Sequence, residues 1–365
     1  MIRSIEKIFI VICLCLVSLA FFSGCSKEKK SGNAKVEPVF KSFGISEGLL
    51  HEQINSMANL NGVLWVATKK GCAVYDSQTD AFIPPGADSR VHLGEGKSVR
   101  RIKVYDGVLY MTTSTGLVSY SPGEGKWRKW TSAGDIKDVA SDKGKTWVSR
   151  IWGLGVYDGA SWTDLNSKVN KSIVGDDVNC MEIISGELWI GTNTGIGVMK
   201  GGATWQQITG YHKIVQGSMY VKVPGNSELV SNRVLSMAAD KGSVWIGTNL
   251  GLSQRSGSNW TTYVSDHQEI SQTGEYKMVS GNSPLVGSTI NDIFIDGSGR
   301  RYFSTTTGLS IMTPDGNWES ITPDNSPLPD RNVTCAIVIG ETLWIGTKSG
   351  LLMRKMPAPE KKGSR

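Results

Sequence analysis

The stretch Leu343-Trp344-Ile345-Gly346-Thr347-Lys348-Ser349-Gly350-Leu351 carries a pattern that recurs along the whole chain. The aromatic Trp344 has counterparts at Trp65, Tyr110, Trp147, Trp189, Trp245 and Tyr302. Six positions after each of them stands a glycine: Gly71, Gly116, Gly153, Gly195, Gly251, Gly308 and Gly350. Two positions after the aromatic the residue is always small: Ala67, Thr112, Ser149, Gly191, Gly247, Ser304 and Gly346. Three positions after it is Thr, except in the third copy, which has Arg150. Seven copies in one frame, 37 to 57 residues apart, imply a repeat architecture of propeller type, in which each unit buries its faces only against its neighbours.

Working outward from this element, each copy reads as four short strands. An aliphatic residue eleven positions before the aromatic opens the first strand: Ile54, Val99, Ile136, Val178, Val234 and Val333, with Ile290 one position further off in the sixth copy. In six copies a glycine three before the aromatic supplies the positive φ of a hairpin turn, as in Asn61-Gly62 and Asp106-Gly107. The quoted element is the second strand, and its Thr-x-x-Gly is the turn into the third. A fourth strand carries a further aromatic: Phe82, Trp127, Trp162, Trp205, Trp260 and Trp318. A buried Trp removes roughly 200 Å² from water, worth on the order of 5 kcal/mol before entropy is counted, so these aromatics read as packing groups.

The last copy, ending near Met356, supplies only three strands. Phe40-Lys41-Ser42-Phe43 matches the fourth-strand pattern of Trp260-Thr261-Thr262-Tyr263. The N-terminal strand is therefore expected to complete the seventh blade and to remove the open edges of the row. The expected fold is all-β: a seven-bladed propeller of four-stranded antiparallel blades over residues 38–356, closed by the N-terminal strand.

Ahead of the propeller, Arg3 and Lys7 precede the apolar run Ile8 to Phe22, which is short for a membrane span. Residues 1–25 read as an export signal. Its end, Phe22-Ser23-Gly24-Cys25, resembles a bacterial lipobox, which makes Cys25 the expected lipid attachment site. Ser26 in place of Asp favours the outer membrane, on its periplasmic side. Residues 26–37 read as a flexible tether, and residues 357–365 as a disordered tail.

The strings LWIGTNTGI (188–196), VWIGTNLGL (244–252) and LWIGTKSGL (343–351), each followed by an aromatic fourth strand, resemble the two-component regulator propeller repeat. The resemblance covers about residues 40 to 356. It implies a propeller fold and a binding role in the cell envelope. Members of that family often form the periplasmic sensors of hybrid histidine kinases, as two tandem seven-bladed propellers. This chain departs from that plan, with seven repeats and no second span or kinase, so the expectation is a stand-alone lipoprotein.

The formal net charge of +6 falls to +5 without the signal, which removes Arg3, Glu6 and Lys7. There is no basic stripe, which argues against nucleic-acid binding. Of six cysteines, Cys72, Cys180 and Cys335 remain after the signal and Cys25. Cys180 and Cys335 hold the same repeat position in the fourth and seventh copies, too far apart for a disulfide. All three are expected to be buried thiols. No metalloprotease, nucleophile-elbow, phosphate-loop or calcium-loop motif is present, so no catalytic residue, metal or cofactor is assigned.

Function is sought in the loops. His51, His92, His212 and His267 lie in loops joining a fourth strand to the next blade, on the same face as the Thr-x-x-Gly turns. Two of these loops, 210–232 and 264–288, are long and mutually similar (YVKVPGNSEL beside YKMVSGNSPL) and read as hairpin extensions. They bring Tyr211, His212, Tyr220 and Lys222 beside His267, Tyr276 and Lys277, and Trp152 and Arg150 of the third copy add to the same face. The expected function is a non-enzymatic ligand- or protein-binding scaffold, monomeric, taking a glycan, a peptide or an envelope protein. Two alternatives are a propeller enzyme like the lyases that open streptogramins, using the loop histidines, and an envelope-assembly lipoprotein.

Overall fold

A computed structural model describes residues 39–86, 96–130, 134–168, 174–202, 204–216, 219–270 and 276–356, with 212–216, 219–222, 268–270 and 276 described by backbone alone. The lipobox with Cys25, the tether, the tail and His92 lie outside the described residues.

The hairpin chemistry of the repeat does what its residues dictate. Asn61-Gly62, Asp106-Gly107, Lys143-Gly144, Ser185-Gly186 and Lys241-Gly242 all have positive φ at both positions, the geometry whose twist matches two antiparallel strands. Second and third strands are joined by the Thr-x-x-Gly turn. In six blades the Thr hydroxyl donates to the glycine carbonyl (Thr347 Oγ1 to Gly350 O, 2.7 Å) and accepts from the intervening N–H (Ser349 N, 3.1 Å).

These units make seven four-stranded antiparallel sheets in meander order. Blade 1 covers Ile54–Ile83, blade 2 Val99–Lys129, blade 3 Val139–Leu165, blade 4 Val178–Ile208, blade 5 Val234–Tyr263 and blade 6 Ile290–Ile321. Blade 7 takes three strands from Val333–Lys355 and its fourth, Phe40–Phe43, from the N-terminal side of the chain, with Phe40 opposite Arg354 and Phe43 opposite Leu351. The sequence-level expectation of a seven-bladed propeller closed by that strand holds.

Each first strand packs on the first strands of both neighbours, in a circuit that runs from blade 1 through blade 7 and back. The first strands therefore surround the central axis. Buried side chains fall into seven clusters, each shared by two adjacent blades. One unites Trp65 and Ala67 of blade 1 with Val99, Ile102 and Met111 of blade 2, and another unites Phe43 and Trp344 of blade 7 with Ile54 and Phe82. The opening aliphatics Ile54, Val99, Ile136, Val178, Val234, Ile290 and Val333 are all fully buried. They explain the small residue two after the aromatic. A Cβ on Gly346 would meet Ile54 Cγ2 at 2.7 Å, and one on Gly247 would meet Ile290 Cγ2 at 2.7 Å. The small residue of one blade is the seat for the aliphatic of the next.

Blade 3 departs from the expected pattern. Its first strand begins at Val139 rather than at Ile136. The backbone N–H groups of Lys137 and Asp138 instead donate to Ser149 Oγ, at 3.0 and 2.7 Å. A side-chain acceptor at the small position thus replaces the bulged ladder that opens the other six blades.

The two long loops are hairpins. His212–Gln216 pairs with Met219–Val223, and His267–Ile270 with Tyr276–Val279. Both are closed at the base by one clasp. Asn226 Oδ1 accepts from Thr209 N and its amide donates to Gln207 O, each at 2.8 Å. Asn282 repeats this with Val264 N and Thr262 O. A third copy, Asn325 with Thr322 N and Ser320 O, closes the blade 6–7 loop, which has no hairpin. Leu229, Leu285 and Leu328 then plug into the core three residues on. The similarity of the two long loops thus comes largely from the clasp, and the hairpins are additions to a loop that closes without them.

Candidate binding face

Strand directions put the Thr-x-x-Gly turns and the blade-to-blade loops at one end of the propeller. Around that face the two residues at each turn tip, from blade 1 to blade 7, are Lys69-Lys70, Ser114-Thr115, Ile151-Trp152, Asn193-Thr194, Asn249-Leu250, Thr306-Thr307 and Lys348-Ser349. Three of these tip residues are apolar and stand out to solvent, Trp152 at 74% exposure, Ile151 at 61% and Leu250 at 53%, and Ile45 on the loop into blade 1 is exposed as well. Tyr211, at the foot of the first hairpin, is also exposed.

Arg150 behaves differently from its neighbour Trp152. Its guanidinium turns along its own blade, donates to Asp164 Oδ1 at 2.6 Å and lies 5.4 Å from the Trp162 ring centre. It occupies the space over Gly155, where a Cβ would collide with it. Arg150 is thus engaged by its own third and fourth strands. On the hairpins, His212 stands opposite Val223, Lys222 opposite Lys213 and Tyr220 opposite Val215 in the first; Lys277 is opposite Glu269 and Tyr276 opposite Ile270 in the second. His267 is half-buried, and its Nδ1 donates to Ser265 O at 3.1 Å. His51 Nδ1 accepts from Gln53 N at 2.9 Å. These two histidines sit at different blade junctions in local turn bonds, and among the described residues no three His, Cys, Asp or Glu side chains gather as a metal site.

Beneath the face, inside the ring of first strands, lies a charge cluster that the repeat pattern did not announce. Arg101, Asp138 and Asp292 hold the same repeat position in blades 2, 3 and 6, while Lys103 and Glu182 come two residues deeper in blades 2 and 4. Arg101 Nη1 reaches across the axis to Asp292 Oδ1 at 3.3 Å, and its Nε lies 3.9 Å from Asp138 Oδ1. Lys103 bridges Asp138 at 3.1 Å and Glu182 at 2.7 Å, and donates to the Met181 carbonyl. Asp138 is fully buried and also accepts from Met181 N at 2.8 Å. Burial alone would lower the Lys103 ammonium, but Asp138 and Glu182 outweigh it and hold it well above its usual range. Burial raises the carboxyls of Glu182 and Asp292 above theirs, against the pull of Lys103 and Arg101 respectively. Burial likewise pushes up the thiols of Cys72, Cys180 and Cys335, the last to about 12, and all three are free. The sequence did hold a signal: the position of Arg101 is Ser or Cys in the uncharged copies and that of Lys103 is Ala, Phe or Ile, while Val99–Tyr105 places Arg101 and Lys103 on alternate residues.

At the opposite end, a shallow groove of about 340 Å³ lies between blades 1 and 2, lined by Leu60, Val63, Val74, Ile83, Pro84, Tyr120 and Pro122 with few polar groups. It carries no acid or base.

Fold and face together define a seven-bladed β-propeller with a mixed apolar and charged loop face over a closed, ionised axis. No protein-family model matches the chain, and no curated protein does. Solved structures do. The extracellular domain of a hybrid two component system from B. thetaiotaomicron aligns with a TM-score of 0.63 at 18% identity, over 86% of this chain and 39% of that one. PorZ, a surface component of the type-IX secretion system of Porphyromonas gingivalis, aligns at 0.58 and 18%, over 86% and 47%. Virginiamycin B lyase from Staphylococcus aureus aligns at 0.56 and 9%, over 88% and 100%. At these identities the likeness is one of fold. The chain spans less than half the length of the first two.

Proposed function

We propose that the chain is an exported, membrane-anchored propeller lipoprotein of the bacterial envelope, and that its Thr-x-x-Gly face is a non-enzymatic docking surface. The observation that carries this reading is the pair of hairpins inserted into loops that the Asn clasp closes anyway, on the face that also exposes Ile151 and Trp152. Extra length without a core role is often functional, and exposed Trp and Tyr suit an interface. The resemblance to extracellular and surface-component propellers supports an envelope setting. The lyase-like fold keeps an enzymatic alternative in view, but His51 and His267 are held in separate turns.

Replacing 211–224 and 267–281 with short Gly/Ser turns tests the face. The melting temperature is expected to change by only a few degrees, because Asn226, Asn282, Leu229 and Leu285 all stay. Adducts formed by a photo-crosslinker at position 152 in the membrane-anchored protein are expected to be lost. Adducts that persist unchanged would place the docking site elsewhere, and a collapsed melt would make the hairpins structural. The anchor has its own test. Cys25→Ala is expected to block lipid attachment and processing, so unaltered processing and membrane extraction would end the lipoprotein reading.

A further inference from the structure

We propose that the hairpin-turn end of the propeller is a lipid-contacting surface, with the groove between blades 1 and 2 seated on the phospholipid bilayer that holds the anchor. The inference rests on the lipoprotein half of the reading above and adds the direction in which the docking face points. Phe40–Phe43 runs from the hairpin-turn end towards the Thr-x-x-Gly end, since Phe40 stands opposite Arg354 and Phe43 opposite Leu351. Val39 O accepts from Lys355 N at 3.0 Å, and Lys355 is opposite Thr342, beside the first hairpin turn of blade 7. Met356 N donates to Glu341 O of that same turn at 2.8 Å. Residues 39 and 356 therefore both stand at the end away from the docking face. Cys25 precedes Val39 by fourteen residues, a reach of about 50 Å at full extension. A lipid on Cys25 tethers this end, and the Thr-x-x-Gly face stands about 20 Å farther out along six-residue strands.

The sector beside this entry point is level and apolar. Six of the seven blades turn from first to second strand through two residues, whereas the loop face carries two hairpins. Val39 in blade 7 is 60% exposed, and Val63, just after the Asn61-Gly62 turn of blade 1, is 42% exposed. Val63 borders the groove of about 340 Å³, whose other walls include Leu60, Ile83, Tyr120 and Pro122. Apolar side chains at the edge of a level surface gain by insertion at the boundary of headgroup and acyl chain. The charges of this sector are mostly satisfied within it. Lys41 and the Tyr75 hydroxyl neutralise Asp80, and Lys126 pairs with Glu124 at 3.1 Å. Asp76 accepts from Gln78 N at 2.9 Å and Thr79 Oγ1 at 2.7 Å. Asp106 and Glu341 are the acids left over, and Lys355 donates to Thr342 Oγ1 at 2.9 Å. No positive field draws this end to anionic headgroups, so the contact is apolar.

The test uses the full lipidated chain in phosphatidylcholine liposomes that contain a lipid spin-labelled on its acyl chain. A bimane label is attached through Val63→Cys or Gly123→Cys at the hairpin-turn end, and through Lys70→Cys or Lys348→Cys at the other. The native thiols at 72, 180 and 335 are buried and do not compete. Emission from positions 63 and 123 is expected to fall about twofold or more, with that from 70 and 348 unchanged. Val63→Asp should remove most of the quenching at 123 without moving the melt, since Val63 is exposed. Added salt, or phosphatidylglycerol in place of phosphatidylcholine, should change little. Equal quenching at the two ends, stronger quenching at 70 and 348, or quenching that requires anionic lipid would each overturn the assignment. Unquenched labels on a chain that sediments as a dimer would give the groove to a second copy instead. The same labels on a chain with residues 1–25 replaced by a hexahistidine tag, held on nickel-chelating liposomes, separate the surface from the anchor. If mass spectrometry finds no lipid on Cys25 while the tagged chain keeps its end-specific quenching, the anchor reading fails and the lipid surface stands. A lipid on Cys25 without end-specific quenching keeps the anchor and removes the surface.

Discussion

Arg101→Ala is expected to lower the stability of the folded chain by about 3–5 kcal/mol, the usual cost of removing one partner from a buried ion pair. Arg101 lies between Asp138 and Asp292, and both would be left facing each other across the axis without it. Denaturant melts of the parent and the variant measure the loss. The pH dependence gives it a signature that a simple packing defect lacks. The carboxyls of Glu182 and Asp292 lie above their usual values in the folded chain, because burial outweighs Lys103 and Arg101. A group whose folded pKa is raised contributes stability that is present below its unfolded pKa and is lost as pH rises through the folded one. Acidification from neutrality into the carboxylate range therefore favours the fold through these two groups. In Arg101→Ala, Asp292 loses its cation and its carboxyl rises further, so the deficit should be larger near pH 7 than near pH 5. A deficit that is equal at both, or under about 1 kcal/mol, would mean that the cluster is solvated and does not tie the blades together.

Deleting residues 38–44 should cost on the order of 5 kcal/mol or more, since it removes a full strand and a fully packed aromatic. Phe43 sits among Tyr75, Phe82 and Trp344, with ring centres 5.9, 5.5 and 5.7 Å away, where blade 7 meets blade 1. The loss opens the edge of Gly350–Lys355, which pairs only with this strand on its outer side, and association through that edge is expected at higher protein concentration. Phe43→Ala separates the packing part, expected at about 3–5 kcal/mol. Deleting 26–36 should leave the melt unchanged. Equal melts for the two deletions would rule out closure by the N-terminal strand.

The repeat frame was legible in the sequence because each of its offsets answers a local need. Gly stands where φ is positive, the small residue stands where the next blade's aliphatic must seat, and Thr stands where the turn needs a hydroxyl. Phe40–Phe43 was legible as the missing fourth strand by the same pattern. Arg150 was legible only as an exception. That it serves Asp164, Trp162 and Gly155 rather than the face could be seen only once the third and fourth strands lay beside it. The clasp that gives the two long loops their similarity became plain when its third copy, at Asn325, was found closing a loop with no hairpin.

The sequence alone determined the number of blades, their strand order, the closing strand and the face on which the loops gather, since all of these follow from spacing and turn chemistry. Only the tertiary structure decided what the polar sides of the first strands meet. Alternation tells which side of a strand is apolar, but not whether its polar side faces water or other polar sides across a narrow axis. Arg101 and Asp292 are 191 positions apart in the chain, and no local pattern links them. Ring closure alone brings equivalent positions of distant repeats within ion-pairing distance.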